Sequence, residues 1–126
     1  ALSSVPTLLG LPDGKLANAP EASKRITSFI RGAEPDLVIT HAAEDYHPDH
    51  RALCSFGTDA AGFVCAVFIC VKLMGDGFTP DYYVDISTHF TAKQNAIMAH
   101  KSQDPSRFVS ATKIMNRFYE IFTRVF

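Results

Sequence analysis

Apolar residues in this chain fall into two rhythms. Short runs dense in β-branched and aromatic residues alternate with longer stretches whose apolar positions recur every three or four residues, the patterns of strands and of one-sided helices. Ile26, Phe29 and Ile30 predict a helix over residues 20–31, opened by Pro20 and Glu21 and stopped by Gly32. Asp36-Leu37-Val38-Ile39-Thr40 reads as a strand, and Pro48 opens a helix that continues to about residue 61, with Gly57 a weak point and Gly62 its end. Residues 63–71, rich in Val, Phe, Ile and Cys, predict a strand covered on both faces, although a buried helix has the same pattern. A loop over 74–80 leads to a further short strand, Tyr82-Tyr83-Val84-Asp85-Ile86. Ser87 or Thr88 then caps a helix running to about residue 101, Asp104-Pro105 breaks it, and a last helix carries Phe108, Ile114, Met115, Phe118 and Phe122.

The alternation predicts an α/β fold with a mainly parallel sheet in three layers. Its 126 residues form one domain or part of one, with no internal repeat. No basic-then-apolar leader opens the chain at Ala1, and Leu8, Leu9 and Leu11 read as the end of an element belonging to something larger. The domain spanning 1–126 is therefore expected to be incomplete at its N-terminus.

Charge narrows the partners. Twelve basic and 13 acidic residues give a net charge of −1, and no Lys/Arg run stands out, which argues against nucleic acid or an anionic membrane surface and for a small polar ligand. The apolar block at 60–71 is well short of the ~20 residues that span a bilayer, so no membrane span is expected. Cys54, Cys65 and Cys70 are odd in number and follow no zinc-ribbon or redox spacing. Buried, reduced thiols and a cytoplasmic setting are expected.

The chemistry concentrates between residues 40 and 51, Thr-His-Ala-Ala-Glu-Asp-Tyr-His-Pro-Asp-His-Arg, which hold three of the five histidines. This stretch follows a strand and precedes a helix, the position at which open α/β sheets bind ligands. Pro48 fits the first helical position, so His47 becomes the N-cap and His50 falls in the first turn, three residues on, facing the same small volume. Asp49, between them, could orient an imidazole by accepting its second N–H. The same residues would also suit a polar turn that merely caps a helix. Asp13, in the turn Leu11-Pro12-Asp13-Gly14, could point into a pocket, but Asp before Gly is also ordinary turn chemistry.

Four stretches taken in order resemble the LmbE-like, or PIG-L, family of zinc-dependent N-deacetylases. They are Leu-Pro-Asp-Gly at 11–14, Pro-Asp-Leu-Val-Ile-Thr-His with Asp-Tyr-His-Pro-Asp-His-Arg-Ala within 35–52, Pro-Asp-Tyr-Tyr-Val-Asp-Ile at 80–86, and Lys93 with His-Lys-Ser-Gln from residue 100. The resemblance implies a Rossmann-like fold, a zinc or other divalent ion, and removal of the acetyl group from an N-acetylglucosamine-type amino sugar or conjugate. It makes His50 a metal ligand, His47 the imidazole that stabilises the oxyanion and protonates the departing amine, and Asp49 the carboxylate that holds His47. Asp13, Asp45 and His100 would contact the substrate.

The sequence also departs from that pattern. The family's Pro-His-Pro-Asp-Asp-Glu type element, which supplies further ligands and the general base, is absent here, and residues 71–74 read Val-Lys-Leu-Met where relatives tend to carry an Asp-Thr pair. The chain on its own is therefore expected to hold about half a metal site and to be inactive, unless His41, Asp45 or Asp13 complete the site from within. His89, at the start of a helix, reads as a capping or surface residue. The competing reading is a noncatalytic α/β domain that has lost the metal motif and serves in binding or assembly, with self-association open in either case.

Overall fold

The computed structural model describes residues 5–70 and 77–123, with side chains described to residue 121. Residues 71–76, which include the first three residues of the predicted 74–80 loop, the side chain of Phe122 and the end of the tail lie outside the described residues. The chain gathers into two compact units, one over Pro6–Phe78 and one carried by Thr79–Phe126.

In the first unit, helix α1 (Ala22–Ala33) leads to strand β1 (Leu37–His41), helix α2 (Pro48–Ala61) and strand β2 (Ala66–Cys70). β1 and β2 pair in parallel, with Leu37 opposite Ala66 and His41 opposite Cys70. Parallel neighbours need a crossover, and α2 supplies it. The α/β class with a parallel sheet is thus as the alternation predicted. α1 starts and ends two residues later than its pattern suggested: Gly32 is helical, and Glu34 takes the left-handed C-cap position at φ 47°. That conformation is unusual for a residue with a Cβ, and it turns the chain sharply into β1.

Side-chain alternation divides the sheet. Val38 and Thr40 face α2, where the Thr40 hydroxyl donates to the Leu53 carbonyl at 3.3 Å. Leu37, Ile39 and Phe68 lie on the opposite face and are 40%, 63% and 50% exposed. In this unit the described helices cover one face of the sheet, because α1 packs against α2 rather than across the strands. The core forms where α1 and α2 meet the 3-10 turn Leu16–Asn18, with Leu16, Ala22 and Ile26 buried and Ile30, Leu53 and Phe56 packed around them.

The second unit is helical. A 3-10 turn at Ser87–His89 leads into α3 (Phe90–Met98), which packs on α4 (Pro105–Thr123). Asp104 caps α4 by accepting the Arg107 amide at 3.4 Å, as the Asp-Pro break predicted. The rings of Tyr83 and Tyr119 meet with centroids 5.8 Å apart. The strand predicted over 82–86 does not form. Tyr82 and Val84 are largely exposed, and among the described residues no neighbouring strand offers the hydrogen bonds that would hold the segment in a sheet. Nor are the cysteines all buried: Cys54 is, Cys65 is partly so, and Cys70 is exposed, all three being free thiols. Among the described residues no helix is long and apolar enough to cross a membrane.

Gly57 shows why α2 can lie so close to β1. A Cβ built there would sit 3.4 Å from Thr40 Oγ1, ordinary contact with little to spare. Gly57→Ala should gain helix propensity without a clash and stabilise the fold by about 0.5–1 kcal/mol. Gly57→Leu should push α2 off the sheet and cost about 1–3 kcal/mol. Urea unfolding of the two variants checks this; equal shifts of the same sign would contradict the close approach.

Candidate metal and acid–base site

The polar cluster forms where β1 ends and α2 begins. His47 occupies the N-cap of α2 with extended backbone, and Pro48 takes the first helical position, as the sequence predicted. The His47 Nδ1 accepts the Asp49 amide at 3.2 Å, satisfying one of the N–H groups left over at a helix start. An Nδ1 that accepts carries no proton, so the ring's N–H lies at Nε2.

Asp45 anchors the loop. Its residue is buried, its Oδ1 accepts the His47 amide at 2.9 Å, and its own amide closes a turn onto Ala42. Arg51 reaches back from α2 and donates to the Asp45 and Tyr46 carbonyls, each at 2.8 Å. Sequence reasoning assigned Arg51 only to the start of a helix; its contact with the loop five and six residues earlier is seen in the structure alone. Burial pushes the Asp45 carboxyl up, but the His47 amide and the His50 imidazole outweigh it and hold the group below the usual carboxylate range.

Two imidazoles, those of His41 and His50, lie beside this anion, and a third, that of His47, lies next to His50. His50 Nδ1, a buried atom, lies 3.1 Å from Asp45 Oδ2, within ion-pair distance. The His41 ring stacks on His50 with centroids 4.0 Å apart and planes 7° from parallel, and the His47 ring lies 4.7 Å from His50. Burial, with His50 beside it, lowers the pKa of His41 against the opposing pull of Asp45. Ligand-type atoms of His41, Asp45 and His50 all fall within 4.8 Å of one another. The donor set of two imidazoles and a carboxylate suits zinc and its neighbours in the first transition row.

Asp49 is engaged elsewhere. Its two carboxylate oxygens accept the Gly14 amide at 2.6 Å and the Leu16 amide at 2.9 Å, so its contact with His47 runs through the backbone N–H rather than the carboxylate. The turn carrying Asp13 is thereby tied to the first turn of α2, with Gly14 at φ 71°, a left-handed conformation that favours glycine. Asp13 itself is exposed. His100 lies in the second unit, exposed, just beyond α3, and His89 stands at the N-cap of α3.

Two comparisons bear on this arrangement. The family model for PIG-L, described as GlcNAc-PI de-N-acetylase, matches residues 2–61, which takes in the first two of the four resembling stretches and the whole cluster. The fold is similar to the crystal structure of the conserved protein TT1542 from Thermus thermophilus, with a TM-score of 0.81 and 27% identity over 91% of this chain. The chain spans 59% of the length of that protein.

Asp49→Ala removes two charge-assisted hydrogen bonds to the 12–16 turn, and should cost about 2–4 kcal/mol on that account. Hydrogen exchange localises the effect: the Gly14 and Leu16 amides should lose protection well ahead of the β1 amides. Protection unchanged at those two positions would show that the clamp is not what holds the turn.

Proposed function

On the premise that residues 2–61 are a PIG-L family segment, we propose that this chain is part of a metal-dependent amide hydrolase that removes the acetyl group from an N-acetylglucosamine-type amino sugar or conjugate. The observation that carries this reading is the pairing of His50, whose Nδ1 meets the buried Asp45 carboxylate at 3.1 Å, with a neighbouring His47 whose Nε2–H is free to donate. The first suits a metal ligand oriented by a carboxylate, the second an oxyanion donor. Zinc or a similar divalent ion, held by His50 with Asp45 beside it, would polarise the acetyl carbonyl and lower the pKa of a water to ~7.

His47 has one job in this scheme. Its Nε2–H donates to the carbonyl oxygen as negative charge develops there, a contribution worth about 2.7–4 kcal/mol for one such donor. As the C–N bond breaks, the departing amine takes up the proton that the base has removed from the attacking water, and it leaves as the free amino sugar. The helix cap fixes the tautomer that keeps Nε2–H for the oxyanion, since Nδ1 is held as an acceptor by the Asp49 amide. Asp49 serves as a positioning residue: through Gly14 and Leu16 it holds the turn that carries Asp13, the proposed substrate contact. Asp45 and Asp49 both have carboxylate oxygens committed, so the base for the attacking water comes from outside this cluster, in keeping with the family element that the sequence lacks.

Acetate release from an N-acetylglucosamine conjugate by the full-length protein, with zinc present, tests the assignment. His47→Ala should lower kcat by about 10²- to 10³-fold with little change in KM. An unchanged kcat would remove His47 from that role.

A further inference from the structure

We propose that Tyr46 is the platform on which the substrate's sugar ring stacks, and that it makes the site select an acetamide carried on a pyranose over one carried on an open chain. The inference rests on the amide-hydrolase reading above and deepens it by assigning the residue that grips the sugar.

Three observations carry this. Tyr46 is 74% exposed, although it stands between the buried Asp45 and the N-cap His47. Its ring lies beside the acid–base cluster rather than away from it: the centroid is 6.3 Å from that of His47 and 6.3 Å from that of His50, with planes inclined at 83° and 61°. The backbone beneath is braced on both sides, since Arg51 holds the Asp45 and Tyr46 carbonyls and Asp45 Oδ1 holds the His47 amide. A single exposed tyrosine is ordinary on a protein surface. One held on a fixed backbone at the edge of a cluster of imidazoles is placed for a ligand, because little freedom remains to be lost when the ligand arrives.

The chemistry fits a pyranose. The C–H bonds on one face of such a ring carry slight positive charge and meet the negative face of an aromatic ring, while the hydroxyls at its rim stay in water. The reach fits as well. An acetamide oxygen that accepts from His47 Nε2 at about 2.9 Å leaves the sugar carbon two bonds, of ~1.3 and ~1.5 Å, beyond the carbonyl carbon. The sugar is then within reach of an aromatic ring whose centroid is 6.3 Å from the His47 imidazole. Tyr46 also follows the carboxyl end of β1, the edge at which open α/β sheets take their ligands.

The test compares two acetamides, methyl N-acetyl-β-glucosaminide and the open-chain N-acetylethanolamine, as substrates of Tyr46 variants of the full-length protein with zinc present. Tyr46→Ala should raise KM for the glucosaminide about 3- to 10-fold, the size of one aromatic-face contact, with the loss falling on KM rather than kcat. Selectivity for the glucosaminide over N-acetylethanolamine, the ratio of their kcat/KM values, should fall by the same factor. Tyr46→Phe keeps the aromatic face and should restore both. Circular dichroism confirms that each variant is folded. A readout independent of turnover is the Tyr46 ring proton resonances, which the glucosaminide should shift and N-acetylethanolamine should not. An unchanged selectivity ratio in folded Tyr46→Ala, a loss confined to kcat, or ring resonances indifferent to the sugar would each overturn the proposal. The two readings fail separately: sugar-dependent shifts at Tyr46 without acetate release remove the reaction and keep the platform, whereas acetate release indifferent to Tyr46 removes the platform and keeps the reaction.

Discussion

A carboxylate taken out of water costs several kcal/mol unless N–H groups or positive charge answer it, and Asp45 is the place in this fold where that demand is made. Every neighbouring feature can be read as part of the answer. The His47 amide takes one oxygen, and to do so the chain must turn and enter α2 with His47 at the cap. His50 then arrives against the other oxygen, one turn into the same helix. Arg51 closes the loop from outside through main-chain carbonyls. The buried charge therefore organises the backbone first and the imidazoles second.

Much of this was legible in the sequence because it is local. Pro48 at the first helical position, the three-residue spacing of His47 and His50, and the strand-loop-helix order all follow from rules that operate over a few residues. The contacts that could not be read are those that close long intervals. Asp49 looked like a partner for an imidazole two positions away, yet its carboxylate reaches Gly14 and Leu16, more than 30 residues earlier, because α1 and α2 bring the 12–16 turn onto the start of α2. His41 stacks on His50 for a similar reason: strand and helix must first dock before the end of one meets the first turn of the other.

The misread strand at 82–86 has the opposite origin. Its residues favour extended backbone, but a strand is stabilised by a partner's hydrogen bonds and by a surface to bury; among the described residues no neighbouring strand pairs with this segment, and Tyr82 and Val84 stay largely exposed. β2, with a comparable composition, becomes a strand because β1 lies beside it. Gly32 and Glu34 make the same point at smaller scale, since helix α1 passes the glycine that should have stopped it and ends where the chain must turn towards β1.

The pairing of the two strands has one more consequence. Cys70 stands opposite His41 across the sheet, one strand spacing or about 4.8 Å away, and is exposed, whereas Cys54 is buried and Cys65 partly covered. The fold thus supplies its own attachment point for a thiol-directed fluorophore beside the imidazole cluster. A dye coupled there would sense a change in the His41 ring directly, so events at the cluster can be watched in real time without adding a residue to the chain.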